Sequence, residues 1–399
     1  MKQQTRTAAV LLLLATAAWA VPSLTIAYHR EDHAAPLFDA CLYPKDFRAR
    51  YRLYLKEVKP RELYTLIDGK RSTLSLRLAP FDTDSAVLAA LRLDSAQVGI
   101  LASEAVLRDV IMRTAGRVEK SASGVRHSAV ITGRTVRVIA PLQHAGDLLV
   151  VNPSVPAADW KEFIAWVKAQ NRPTTIGYIG QYSMAALGFT QALEYENVNY
   201  VGTVPGRGLS PKPESAKVKL VRADDRLALA AELSSGRCDA AVLQEPAATW
   251  VSVLRGCRTI GRIDILPPGR FENRPGTVIA ATDSTIRTRG EDVGRFLELM
   301  AVATHYANNR TQNTLAAVYR WLGTSPALES IAMGNMGFSS RPDVAFTPGI
   351  WNWYFALRLR SAVPQNLSGY MEEKDWLGVP YDSLLLTPAL DRAGARIIK

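Results

Sequence analysis

Two segments of the chain arrive at a glutamate by the same route. Leu88 begins LAALRLDSAQVGILASE and Leu229 begins LAAELSSGRCDAAVLQE. Laid on each other without a gap, both pass from Leu-Ala-Ala through small and polar residues into an apolar run, and reach Glu104 and Glu245 sixteen positions on. A carboxylate offers only acceptors, so it suits cations and N–H donors. The form reads as an Ala/Leu-rich helix, a turn (Leu93-Asp94-Ser95 or Ser234-Ser235-Gly236) and a short strand buried on both faces. In open α/β sheets the carboxyl ends of such strands face the ligand crevice. Each acid taken alone also fits a helix cap or a solvated loop.

Other chemistry finds less to work with. Three cysteines and five scattered histidines match no zinc spacing, so neither a metal nor another cofactor is expected. Cys238 and Cys257 each stand where a strand is predicted to begin, with one helix between them, and form a candidate disulfide. Cys41, in APLFDACLY, reads as a buried thiol.

These residues need a scaffold of some size. The 399 residues, 48% hydrophobic, exceed one average domain and predict two lobes. The start, MKQQTRTAAVLLLLATAAWA, has cations at Lys2 and Arg6, an apolar run and the small-x-small sequence Ala18-Trp19-Ala20, and is predicted to be a cleaved secretory signal covering residues 1–20. Its loss removes two cations and no acid, lowering the formal charge from +11 to +9. Lys and Arg are dispersed among acids with no run of five, so nucleic-acid binding is not expected. No further run of about twenty apolar residues follows, and a soluble periplasmic protein is predicted.

Along the chain, SLTIAY, RLYLKEV, TLSLRLAP, VGILA, RTVRVIAPLQ and GDLLVVNP read as strands. TTIGYI, VKLVRAD, DAAVLQ and TVIAAT follow, with helices between, and Asp82, Thr83 or Asp84 can cap the helix that starts near them. Residues 46–81 hold two strands joined by a charged connection, and the chain beyond about Arg289 reads as mostly helical, with an aromatic stretch at Gly349–Pro364.

In that order, the signal, AYHREDHAAPLFDA, ALRLDSAQVGILASEAVL, APLQHAGDLLVVNPS, TTIGYIGQYSMAALGFTQAL, ELSSGRCDAAVLQEPAATW and PGTVIAATDS resemble the periplasmic solute-binding proteins that serve nitrate, sulfonate, taurine and thiamine-precursor uptake. The resemblance runs from about Leu24 to Gly323, with residues 46–80 as an insertion. It implies a two-lobed α/β Venus-flytrap fold: lobe 1 from 21–148 and 275–320, lobe 2 from 149–274, and a helical C-terminal tail, 321–399, packed on the lobes. Hinge crossings are expected near Leu149–Pro153 and Gly269–Val278, with Glu104 and Glu245 ending equivalent strands on one cleft.

The matching loops place Tyr28, His29, Glu31, Asp82, Thr83, Asp84, Ser103 and Glu104 on the first side of the cleft. From the second side come Gln143, Gly180, Gln181, Tyr182, Ser183 and Glu245. In oxyanion-binding relatives the helix N-termini do much of the holding. Here the loops are acidic, Arg30 alone opposes them, and Tyr28, Phe81, Tyr178, Tyr182 and Met184 are expected to line the cleft with apolar surface. A neutral, cationic or partly apolar ligand is therefore expected in place of an oxyanion.

The reading is a non-catalytic, monomeric carrier that delivers its ligand to an inner-membrane transporter, usually an ABC importer. A periplasmic lipid carrier of sterol or hopanoid type, serving a non-ABC system, is an alternative. The thiamine-pyrimidine synthases share the implied fold, but their clustered-cysteine iron site has no counterpart here. A sensor domain would need a transmembrane or kinase region, which the sequence lacks.

Overall fold

The computed structural model describes residues 21–115, 118–121, 124–127, 135–180, 183–202, 215–223, 225–269, 272, 274–339 and 384–398. The predicted signal, Gln181, Tyr182 and the aromatic stretch at 349–364 lie outside these residues.

The chain begins β1 (Ser23–His29), α1 (Ala35–Leu42), α2 (Pro44–Tyr51), β2 (Leu53–Lys59), β3 (Leu63–Asp68), β4 (Arg71–Phe81), α3 (Asp84–Arg92), β5 (Val98–Ala102) and α4 (Ser103–Ala115). A hairpin of β6 (Val118–Ser121) and β7 (Gly124–His127) precedes β8 (Val136–Ala145). Then come β9 (Asp147–Val151), α5 (Trp160–Ala169), β10 (Thr174–Ile179), α6 (Met184–Tyr195), β11 (Tyr200–Val201), β12 (Val218–Ala223), α7 (Arg226–Ser234), β13 (Ala240–Gln244), α8 (Ala247–Arg255) and β14 (Arg258–Arg262). The last elements are β15 (Pro275–Thr282), α9 (Asp283–Asn309), α10 (Thr311–Leu322), α11 (Pro326–Gly334), β16 (Met336–Phe338) and α12 (Leu386–Ile397).

Eight strands form one sheet in the order β16-β8-β15-β5-β1-β4-β3-β2, and six form a second, β11-β12-β10-β13-β9-β14. The centres of the two sheets are built alike. In the first, β1 lies parallel between β4 and β5, with β15 antiparallel beyond β5. In the second, β10 lies parallel between β12 and β13, with β9 antiparallel beyond β13. The two repeats are thus α3–β5 and α7–β13, occupying matching places. Their strands are nearly continuous in apolar residues because both faces are covered, as VGILA and AAVLQ show.

The first crossing between sheets comes earlier than Leu149–Pro153. Ala145 and Gly146, at φ of 62° and 86°, turn the chain out of β8 and directly into β9. All five residues of β9 are buried between β13 and β14, so this apolar run belongs inside the second sheet. The return passes from β14 to β15 through residues 263–274.

Three further expectations change. The charged connection within 46–81 contains β3, and β4 pairs with β1, so the added piece is the β2–β3 hairpin while β4 belongs to the central sheet. The C-terminal region also contributes a strand, since β16 extends the first sheet at β8. Cys238 and Cys257 are free thiols. Both precede residues that pair with Val151, and β9 separates them. Two strand spacings amount to about 9–10 Å, beyond the roughly 4.4–6.8 Å that a disulfide spans between Cα atoms.

One aromatic contact ties the C-terminal helices to the first sheet. The Trp321 indole stacks on Phe38 with ring centroids 5.0 Å apart, and its Nε1 donates to the Tyr28 hydroxyl at 3.1 Å. Trp321→Ala should therefore cost about 3–5 kcal/mol in urea unfolding, as loss of a large buried aromatic does; a cost below 1 kcal/mol would mean that α10 is not anchored there.

Candidate functional site

A cavity of about 1110 Å³ opens between the two sheets. The carboxyl ends of the parallel strands supply its walls. From β1, β4 and β5 come His29 and Glu31, then Asp82–Ser85, then Ala102 and Glu104. From β10, β12 and β13 come Gly180 and Ser183, Arg222 and Arg226, and Gln244 with Trp250 on α8. The crossings add Asp147 and Arg274, and α11 adds Leu328 and Glu329.

Of the residues anticipated from sequence, His29, Glu31, Asp82, Thr83, Asp84, Glu104, Gly180 and Ser183 line this cavity. Four others do not. Tyr28 is buried in the core beside Phe38 and Trp321, because alternate residues of a strand face opposite ways. Ser103 donates to the Pro275 carbonyl at 2.8 Å, and Gln143 donates to the His144 and Ala145 carbonyls at 2.9 and 2.8 Å. Glu245 is wholly buried against α8, accepting from Thr249 N at 2.9 Å, Thr249 Oγ1 at 2.8 Å and Asn335 Nδ2 at 2.6 Å.

The expected aromatic lining is also corrected. Tyr178 and Met184 are core side chains, and Phe81 does not reach the cavity. Apolar surface comes instead from Ile179, Val242, Trp250 and Leu328. Nor does Arg30 stand alone against the acids, since Arg108, Arg222, Arg226 and Arg274 line the cavity. The repeat gave no signal for Arg226: in the gapless overlay it falls opposite Ser85, and Asp84 falls opposite Asp225.

Contacts between the lobes close the site. Arg226, in the first turn of α7, pairs with Glu31. Glu104 reaches across to accept from Met184 N at 2.6 Å, the first residue of α6, whose cap is the Ser183 hydroxyl on Ala186 N at 3.0 Å. The N-terminus of α6 therefore already holds a carboxylate, which its dipole and exposed N–H groups favour.

A chain of titratable groups runs behind this wall. His29 Nδ1 lies 3.2 Å from Asp84 Oδ1 and 3.4 Å from Glu31 Oε2. Burial opposes the imidazolium of His29, but the Asp84 hydrogen bond and the Glu31 charge outweigh it and raise its pKa. Burial likewise opposes ionised Asp84, yet His29 and the Ala102 amide, at 2.9 Å, hold its pKa low. Deeper in, Asp32 is 1% exposed, and desolvation followed by the charges of Glu31 and Glu245 pushes its pKa up to about 8. His33 Nε2, 3.4 Å from Asp32, is kept neutral by its own burial.

No family model matches the chain. A segment of 58 residues is 41% identical to an uncharacterized protein of Methanocaldococcus jannaschii, a match spanning 14% of this chain and 40% of that one. Solved structures align over nearly the whole length. The ligand-binding component of an ABC-type import system from Staphylococcus aureus, with zinc bound, has a TM-score of 0.59 at 13% identity, over 92% of this chain and 99% of its own. The nitrate-binding protein NrtA from Synechocystis gives 0.55 at 10%, over 94% and 91%. The aliphatic sulphonate binding protein SsuA from Escherichia coli gives 0.54 at 11%, over 88% and 100%.

The chain has the periplasmic-binding-protein fold. The cavity lies between the two sheets, and the strand-end loops of both meet there.

Two measurements follow from the buried acids. Between the ordinary carboxyl range and about pH 8, folded Asp32 retains a proton that the unfolded chain has released, so its contribution to stability falls as pH rises. Thermal melts should show stability declining from pH 5 to pH 8, with a shallower decline in Asp32→Asn; identical slopes would remove Asp32 as a cause. Glu245→Ala leaves the Thr249 and Asn335 donors without their acceptor and should cost about 1–3 kcal/mol. An unchanged melting temperature would contradict the structural role assigned to Glu245.

Proposed function

We propose that this protein is a non-catalytic solute carrier that closes its two lobes on a ligand outside the cytoplasm and passes it to a membrane transporter. The observation that carries this reading is the cavity of about 1110 Å³ lined by strand-end loops of both lobes and bridged by Glu31–Arg226 and Glu104–Met184. A site dependent on both lobes is assembled by closure and dispersed by opening, as capture and release require. The fold's likeness to binding components of import systems supports the same role.

The ligand is neutral or cationic with some apolar surface, in contrast to the sulphonate and nitrate named for two of the similar structures. Glu104 supports this, since its carboxylate takes the α6 N-terminal amide that an oxyanion would seek. The cavity arginines do not reverse the balance, because Arg226 and Arg274 pair with Glu31 and Asp147. A sterol or hopanoid is less well served, because charged side chains share the walls with the few apolar ones. A synthase-like reaction finds no support in the cysteines: Cys41 is buried in the first lobe, and Cys238 and Cys257 in the second.

Native mass spectrometry of the protein taken from its own periplasm should show a bound small molecule that is not an oxyanion. Calorimetric titration with nitrate, sulfate and taurine should give no measurable heat of binding. Tight binding of any of these three would overturn the ligand assignment, and absence of every small molecule from native preparations would overturn the carrier role.

A further inference from the structure

The wall contributed by the C-terminal helix α11 carries a carboxyl group that the closed site leaves half satisfied. Glu329 lines the cavity and is 2% exposed. Thr324 bonds to its side chain, but Oε2 has no hydrogen-bond partner among the described residues. Other wall carboxylates are engaged: Glu31 with Arg226, Asp84 with His29 and the Ala102 amide, Glu104 with the Met184 amide, Asp147 with Arg274. An acceptor buried without a donor has lost its hydration and gained no hydrogen bond in return. A group entering the cavity with N–H donors would supply that bond.

The charge around Glu329 fixes the sign of that group. Asp32 and Glu245 lie close enough to disfavour its ionised form, and burial does so more strongly, bringing its pKa up to about 7. His33, kept neutral by its own burial, offers little compensation. Seven carboxylates and four guanidiniums line the cavity among the described residues, and two of the guanidiniums, Arg226 and Arg274, are neutralised by ion pairs with Glu31 and Asp147. Trp250, Val242 and Leu328 give the same space an apolar side.

We propose that the cleft takes a ligand bearing a cationic nitrogen, an amine or amidine on an apolar body, and that Glu329 receives its N–H donors. This rests on the carrier reading above and names the chemical class of its ligand. An amidinium presents two parallel donors to a carboxylate, and such charge-assisted pairs are stronger than neutral hydrogen bonds. The C-terminal region thereby acts in recognition as well as in packing.

Benzamidine, benzoate and benzyl alcohol share a ring and differ in charge, so calorimetry with these three probes on the full chain tests the proposal. Benzamidine should bind at least about tenfold more tightly than either of the others, and Glu329→Gln should weaken it by roughly ten- to a hundredfold, the range of a charged hydrogen bond. The wild-type comparison stands even if the variant folds poorly, and Ile331→Ala, at an exposed position of α11 that does not line the cavity, serves as a neighbouring control that should bind benzamidine like wild type. Benzoate binding as tightly as benzamidine, or Glu329→Gln binding benzamidine like wild type, overturns the proposal while leaving the carrier reading intact. Failure of all three probes to bind at millimolar concentration also overturns it, and the carrier reading then stands or falls on the native mass spectrum.

Discussion

The buried ion pair between Asp147 and Arg274 fixes how the two lobes meet. Asp147 opens β9 just after the chain leaves the first sheet, and Arg274 stands just before β15, where the chain returns. Both are almost wholly buried, and both line the cavity. Removing one partner of such a pair leaves a charge in a poorly solvated place at a cost of about 3–5 kcal/mol, so the two crossings are held side by side. Their packing is close: a Cβ on Gly276 would come within 2.3 Å of Gln143 Oε1. Gln143, expected in the ligand site, thus packs between the two crossings and bonds to the backbone of the first, where the positive φ angles of Ala145 and Gly146 place the turn.

With the crossings fixed, the carboxyl ends of two parallel strand sets must face one another, and their charges decide what happens between them. The first lobe presents Glu31, Asp82, Asp84 and Glu104 beside Arg108; the second presents Arg222 and Arg226 beside Asp225, together with helix N-termini. The two sides are bridged by the protein's own groups, Arg226 on Glu31 and Glu104 on the α6 amide. A ligand that displaced these contacts would have to replace them, whereas one that filled the space beside them would add to them. The second course suits a cavity in which most charged groups already have partners.

Much of this architecture was legible in the sequence, and the reasons for success and failure differ. Short apolar runs bounded by turns, such as VGILA and AAVLQ, mark strands covered on both faces, so strand ends, and hence the loops facing the cleft, could be placed. Which side chain of a loop enters the cleft depends on one-residue differences in direction. His29 lines the cavity and Tyr28 packs in the core; Glu104 lines it and Ser103 bonds to a carbonyl beneath. Glu245 shows the limit of the repeat: its strand matches that of Glu104, but Thr249 and Asn335 turn its carboxylate away from the cavity. The contribution of α11 had no sequence signal, because Glu329 reaches the site through tertiary packing far from the strands that define it.

Asp32, Glu245 and Glu329 form a region that stability alone would fill with apolar side chains, since burying carboxyls is costly even when they are paired. The three meet that cost differently. Glu245 has three hydrogen-bond donors, each within 2.9 Å. Asp32, with its pKa near 8, avoids ionisation at neutral pH and sits against a neutral His33. Glu329 has neither full solution: its pKa of about 7 leaves it poised between forms, and its Oε2 is buried without a hydrogen-bond partner among the described residues, in a residue of the cavity wall. A group whose surroundings neither neutralise nor satisfy it is the one on which an incoming positive charge has the greatest effect. Position separates Glu329 from the two acids behind it: Glu329 lines the cavity, whereas Glu245 does not, nor does Asp32, whose own carboxyl oxygens also lack hydrogen-bond partners among the described residues.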